Sequence, residues 1–169
     1  SSDVCSSDLK SKNIELIKNY GEWFGLQYAV CYFYNVYGPG QITEGPYSTV
    51  IGIFENQYST NTPLTVVYPG TQSRDFTHIH DIIEGVLLVG DKGIGDGYMI
   101  GRGEQHRIID VAKMFETEYT IIPERRGERL SGQSSNTKMF EEFNWKAKYS
   151  LKDYIKQTIK HDVLHSTSR

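Results

Sequence analysis

Tyr34-Asn35-Val36-Tyr37-Gly38-Pro39-Gly40-Gln41 reads as a strand that runs into a tight turn, with an asparagine at its carboxyl end. Farther along, Arg74-Asp75-Phe76-Thr77-His78-Ile79-His80-Asp81 sets an arginine at the mouth of a second strand, just ahead of a helix. Open α/β sheets bind their ligands outside the carboxyl ends of the strands. The two stretches therefore read as parts of one site.

Around them the chain alternates helix and strand. From Asn13 to Phe24, Ile14, Ile17, Tyr20 and Phe24 recur at three- and four-residue spacing, and Gly25 follows as a stop, which predicts an amphipathic helix with a glycine C-cap. Tyr28 to Tyr34 is β-branched and aromatic without polar alternation, as expected of a strand covered on both faces. Tyr47 to Tyr58 reads as a helix, and Leu64 to Tyr68 as a short strand opened by Pro63 and closed by Pro69-Gly70. A helix over Asp81 to Asp91, a strand over Gly97 to Gly101, a helix over Ile108 to Glu116 and a strand over Tyr119 to Ile122 follow. Helices near Thr137–Phe143 and Leu151–Val163 finish the order, and the polar tail from His161 to Arg169 is expected to fray. Such alternation predicts an α/β fold with parallel strands rather than a sandwich or bundle.

At 169 residues and 38% hydrophobic content the chain is one domain by length, large enough to bury a core. No apolar run approaches the roughly 20 residues that a membrane span needs. A net charge of -3 gives no basic footprint for nucleic acid. Two cysteines, with neither a disulfide framework nor metal-ligand spacing, and no secretory signal point to the cytoplasm.

Ser1-Ser2-Asp3-Val4-Cys5-Ser6-Ser7-Asp8-Leu9 stands apart: it contains Ser-Ser-Asp twice and lacks apolar periodicity. It also matches the translation of a common sequencing-library adapter. We expect residues 1–9 to be a read-through leader that replaces a native N-terminal half, with a native domain over 10–165 and a tail over 166–169. A natural disordered Ser/Asp leader is the other reading. Leaving the tract out removes two Asp, so 18 cationic residues face 19 acidic ones and the acidity says little.

Asn35-Val36-Tyr37-Gly38-Pro39, the G-x-x-x-R-D-F pattern at Gly70 to Phe76, and the R-x-G-E pattern at Arg125 to Glu128 together resemble one family. It is the NAD-dependent epimerases and dehydratases of the extended short-chain dehydrogenase/reductase superfamily. The resemblance runs from about Lys10 to Ile159, yet covers only the second, nucleotide-sugar-binding half of such an enzyme. It implies the C-terminal part of a Rossmann-like fold with a small substrate-binding subdomain, the N-terminal NAD-binding half being absent. The implied partner is a nucleotide-sugar substrate (a UDP-hexose), the implied cofactor NAD, and the implied parent a homodimer.

Several residues take roles from that resemblance. Asn35 and Arg74 would hold the diphosphate. A side-chain amide at a strand end can donate to a phosphate oxygen, and a guanidinium offers a planar fork suited to two such oxygens. On the residues alone, Asn35 could equally cap a turn and Arg74 pair with Asp75. By register Arg125 maps to a second diphosphate ligand and Glu128 to an acceptor for ribose hydroxyls, with a solvated charge run as the other reading and Arg126 as the alternative to Arg125. Val67 falls where the family's short strand reads the base through its backbone. Tyr34 maps onto a position that lines the nicotinamide pocket.

Lys10 is the implied catalytic lysine of a Tyr-x-x-x-Lys pair, which also binds the nicotinamide ribose. Its tyrosine would fall at Ser6, or at Asp8 if Lys12 is the lysine, so the phenol is absent in either register. The Gly-rich strand-turn-helix of dinucleotide binding is absent too, because Gly38-x-Gly40 and Gly101-x-Gly103 lack the third glycine. His78-x-His80 offers two imidazoles without a third ligand, and no metal site is expected. Cys31 reads as an inert core thiol, and Asp81 as a structural charge at a helix N-terminus. The function expected is NAD-dependent nucleotide-sugar epimerisation by the parent enzyme, a 4,6-dehydratase being the alternative within the family. This chain itself reads as a non-catalytic binding remnant with an exposed sheet edge and an uncovered helix face.

Overall fold

The computed structural model describes residues 6–124 and 134–166. Helix α1 (Ser6–Phe24) ends where Gly25 takes a φ of +67° and donates its N–H to the Gly21 carbonyl at 3.0 Å. Glycine adopts that left-handed conformation without the Cβ penalty, so the expected C-cap is present. The helix starts at Ser6 rather than Asn13, so the Ser/Asp tract supplies part of its first turns. Serine and aspartate are poor in helix interiors but favoured where a helix begins.

Strand β1 (Ala29–Phe33) and β2 (Val36–Tyr37) follow, then α2 (Val50–Ser59) and β3 (Leu64–Val67). The next stretch holds β4 (Ser73–Asp75), β5 (Thr77–His78), α3 (Ile79–Lys92) and β6 (Gly95–Ile100). The chain continues through β7 (Gln105–Arg107), α4 (Ile108–Met114), β8 (Tyr119–Ile122), α5 (Thr137–Phe143) and α6 (Leu151–Ser166). β1 pairs with β6, β2 with β5 and β3 with β8, all parallel, as the alternation predicts. β4 and β7 pair antiparallel, a departure from that expectation. α6 runs through His161 to Ser166, where the sequence suggested fraying.

Two apolar clusters hold these pieces. The larger joins Tyr37, Phe54, Leu64, Phe76, Phe115 and Ile155 from strands and helices of the 37–155 region. Phe54 and Phe115 meet edge to face, 5.9 Å between centroids. Each such ring contributes about 1.5–3 kcal/mol through burial. The smaller cluster gathers Ile82, Val89, Tyr98, Ile100, Met139 and Trp145 around the β1–β6 pair.

β1 is not covered on both faces. Phe33 is 54% exposed, because α3 packs against the β1–β6 pair while β6 is the only strand neighbour of β1 among the described residues. The apolar stripe of α1 is likewise open, with Leu16, Tyr20, Trp23 and Phe24 all exposed.

Candidate functional site

Parallel pairing of β2 with β5 places Asn35, between the carboxyl end of β1 and the start of β2, beside the second quoted stretch. The Asn35 carbonyl accepts from the Thr77 N–H at 3.3 Å, and Asn35 Nδ2 donates to the Asp75 carbonyl at 3.0 Å. The side chain therefore bridges two segments rather than capping its own turn. A primary amide nitrogen carries two hydrogens, so one remains for another acceptor.

Asn35, Val67 and Arg74 line one cavity of about 290 Å³, together with Thr49, Gln72 and other residues. The sequence-predicted residues it brings together are these three. Arg74 is half-buried there and donates from Nη1 to the Ser73 carbonyl at 2.9 Å. Lys10 lies exposed on α1 and Tyr34 directs its hydroxyl to Met99 Sδ at 3.6 Å; neither lines the cavity. Arg125 and Glu128 lie outside the described residues.

The first residues of α2 form one wall. Thr49 caps the helix, its Oγ1 accepting from the Gly52 N–H at 3.0 Å and donating to Gln41 Oε1 at 2.8 Å. Gln41 in turn donates to Glu55 Oε2 at 2.7 Å. Helix N-termini carry partial positive charge and unpaired N–H groups, which favours an anion against this wall.

Another wall is the free edge of β3. Leu64 and Tyr68 donate their N–H groups to Glu118 and Ile122 beside β8, each at 2.9 Å. Peptide groups alternate sides along a strand, so those of Thr65 and Val67 face away from β8, toward the cavity both residues line. There, the Thr65 N–H donates to Gln57 Oε1 at 3.0 Å, and Gln72 Nε2 donates to the Val67 carbonyl at 3.0 Å. Among the described residues, the Thr65 carbonyl and the Val67 N–H have no hydrogen-bond partner, an acceptor followed by a donor.

Asp75, fully buried, fixes the floor. Its carboxylate accepts from the N–H groups of Arg102 at 3.2 Å, Gly103 at 2.8 Å and Ser134 at 3.2 Å, and from Ser134 Oγ at 2.5 Å. Asp81 sits in the first turn of α3, as expected, and also accepts from the N–H groups of Lys148 and Tyr149. His78 is buried against Tyr37, Tyr149 and Tyr154, with burial lowering its pKa first and the neighbouring His80 second. Burial raises the Cys31 thiol pKa. Among the described residues, no group of three or more His, Cys, Asp or Glu could hold a metal ion, and no helix is long and apolar enough to cross a membrane.

Sequence reading missed Gln57, Gln72 and the α2 N-terminus. Gln72 left a signal, because it stands two before Arg74, just ahead of β4, and alternate residues of a strand share a face. Thr49 left one too, as a threonine just before the apolar start of a helix; Gln57 left none, since its partner is fixed by how α2 meets β3.

The model of the NAD dependent epimerase/dehydratase family matches residues 9–101. An uncharacterised UDP-glucose epimerase of Bacillus subtilis is 31% identical over 125 residues, covering 70% of this chain and 37% of that protein. GDP-mannose 3,5-epimerase 1 of Oryza sativa subsp. indica is 30% identical over 151 residues, 85% of this chain and 40% of its own. The crystal structure of UDP-glucose 4-epimerase with UDP-glucose from Thermotoga maritima superposes with a TM-score of 0.82 at 25% identity, over 95% of this chain and 53% of that one. The chain thus spans less than half the length of these two curated relatives.

Proposed function

Because the chain belongs to the NAD dependent epimerase/dehydratase family, we propose that its cavity takes the nucleoside diphosphate of a UDP-hexose, as the substrate-holding part of an NAD-dependent nucleotide-sugar epimerase. The observation that carries this reading is the convergence of Asn35, Arg74 and the α2 N-terminus on a cavity whose far wall is the open edge of β3. Two anion donors and a helix N-terminus suit a diphosphate. An unpaired strand edge suits a flat heterocycle that offers a donor beside an acceptor. Arg125 and Glu128 would add a second phosphate ligand and a ribose acceptor.

NAD supplies hydride removal and return in such an epimerase. This chain would touch only its nicotinamide end, through Lys10 and Tyr34. Nothing among the described residues fits the dinucleotide pyrophosphate: Gly38-Pro39-Gly40 is separated from α2 by residues 41–49, and Gly101-x-Gly103 leads into β7 rather than a helix. Ser6 also stands where a proton-relay tyrosine would stand relative to Lys10. The chain's own part is therefore binding and orientation, in a cytoplasmic enzyme that pairs as a homodimer.

Calorimetric titration with UDP, followed by an assay of UDP-glucose with added NAD, tests this. Saturable UDP binding without turnover is the expected result. Absence of binding at millimolar UDP would overturn the site, turnover to UDP-galactose would overturn the binding-only role, and a 4-keto-6-deoxy product would mark a dehydratase instead.

A further inference from the structure

The open edge of β3 presents four backbone groups in order: the N–H and carbonyl of Thr65, then the N–H and carbonyl of Val67. The outer two are closed by side-chain amides from different elements. Gln57, on α2, accepts from the Thr65 N–H at 3.0 Å and donates to Thr65 Oγ1 at 2.9 Å. Gln72, in the turn that leads to Arg74, donates to the Val67 carbonyl at 3.0 Å. β8 is the only strand beside β3 among the described residues; on the other edge the two glutamines stand in for a strand and leave one acceptor and one donor without a partner there.

Gln72 is only 2% exposed, lines the cavity, and holds Oε1 buried without a hydrogen-bond partner among the described residues. Its backbone carbonyl accepts from the Ile108 N–H at 3.0 Å, which fastens the same turn to the start of α4. A buried carboxamide with one half spent on the strand edge and the other half unsatisfied is costly to keep. It is out of place in a turn whose only task is to reverse the chain.

We propose that Gln72 is a specificity-determining residue: by occupying the Val67 carbonyl, it sets the hydrogen-bond pattern that β3 shows to the heterocycle of a bound nucleotide. The inference rests on the nucleotide-sugar reading of the cavity. With Gln72 in place, a ring N–H beside a ring carbonyl meets the Thr65 carbonyl and the Val67 N–H. Without it, the Val67 carbonyl is a second acceptor beside the only donor, and it repels the ring carbonyl seated there. The diphosphate, held by Arg74, Asn35 and the α2 N-terminus, does not touch this edge.

The test compares UDP with inorganic pyrophosphate, titrated into the full chain and into Gln72→Met and Gln72→Glu. Met keeps the volume without a donor; Glu keeps the shape and, titrated at a pH where it is ionised, cannot donate to a carbonyl, and it carries the test should Met fail to fold. The proposal expects UDP affinity to fall roughly 3- to 10-fold in the variants, the range of one hydrogen bond. Pyrophosphate affinity should stay within twofold of the parent chain. A parent chain that prefers UDP to pyrophosphate, with both variants keeping that preference, overturns the role of Gln72 and leaves the site reading intact. Equal loss of both ligands also overturns it, by showing a merely structural part. A parent chain that binds neither ligand overturns both readings.

Discussion

Asn35 and Asp75 are tied by one bond, Nδ2 to backbone carbonyl at 3.0 Å, and that bond joins a cavity-lining amide to the backbone of a residue whose buried carboxylate is itself closely held. Asp75 accepts four hydrogen bonds, three from backbone N–H groups of the 102–103 loop and Ser134. Ser134 follows directly on the stretch that contains Arg125 and Glu128. One aspartate thus fixes β4, the loop after β6 and Ser134, while Arg74, its neighbour in sequence, lines the cavity.

Replacing Asp75 with alanine strands these donors inside the protein. An unsatisfied buried donor costs about 1–3 kcal/mol, so Asp75→Ala should lose at least about 3 kcal/mol. For a chain of this length that lowers Tm by roughly 6–12 °C. Asp75→Asn, which turns one acceptor into a donor facing Ser134 and Gly103, should fall between the two. Thermal unfolding followed by circular dichroism checks this; an Asp75→Ala Tm within 2 °C of the parent would show that the loops carry their own order.

The proposed site sets Arg74 against phosphate oxygens, where the planar fork of a guanidinium should matter beyond its charge. Arg74→Ala should weaken pyrophosphate binding by roughly 10- to 100-fold, the worth of charge-assisted hydrogen bonds. Arg74→Lys should recover only part of this, because an ammonium cannot bridge two oxygens in a plane. Full recovery by lysine in a calorimetric titration would mean that Arg74 acts as a point charge.

Gly52 tests how tightly the α2 wall is set. A Cβ there would lie 2.6 Å from the Ile42 carbonyl oxygen and 3.0 Å from Thr49 Oγ1, the capping atom. The first of these is backbone, so the 41–49 loop or the helix must shift. Gly52→Ala should cost about 1–3 kcal/mol and weaken pyrophosphate binding through the displaced helix N-terminus. Unchanged urea midpoint and unchanged binding would mean that the loop yields freely.

The alternation of helix and strand was legible because each long element carries its own period: Ile14, Ile17, Tyr20 and Phe24 on α1, or the apolar run of β1. The strands β2, β4, β5 and β7 were not, since two or three residues cannot display a period of two. They are set by what lies beside them, and one pair, β4 with β7, runs antiparallel against the trend. That β1 would stand half open was hidden for the opposite reason: its sequence reads as doubly covered, and cover depends on neighbours that a strand does not encode. At the site, Asn35, Val67 and Arg74 share a cavity; they were named through the resemblance, whose motifs fall at the ends of strands. Gln57 and Gln72 escaped because their partners are backbone atoms of β3, chosen by register rather than by residue type.

His78 gives the chain a pH dependence with a defined sign. Its Nδ1 accepts from the His80 N–H at 3.2 Å, capping α3, and its ring stacks on Tyr149 at 4.5 Å. Burial first and His80 second lower its pKa from the ordinary 6.5, with Asp81 opposing them. The native state therefore binds a proton less readily than the unfolded chain. The stability tied to a neutral His78 is complete above about pH 6.5 and is lost as the pH falls below that value, when the unfolded form takes up the proton first. A protonated imidazole also loses the acceptor that caps the helix. His78→Asn retains a side-chain oxygen suited to capping but does not titrate, so its urea midpoint should change less between pH 7.5 and 5.5 than that of the parent. His80→Asn removes the neighbour that, after burial, lowers the His78 pKa and should ease the loss at pH 5.5 without abolishing it. Parallel midpoint curves for the parent and His78→Asn would assign the acid sensitivity to other groups.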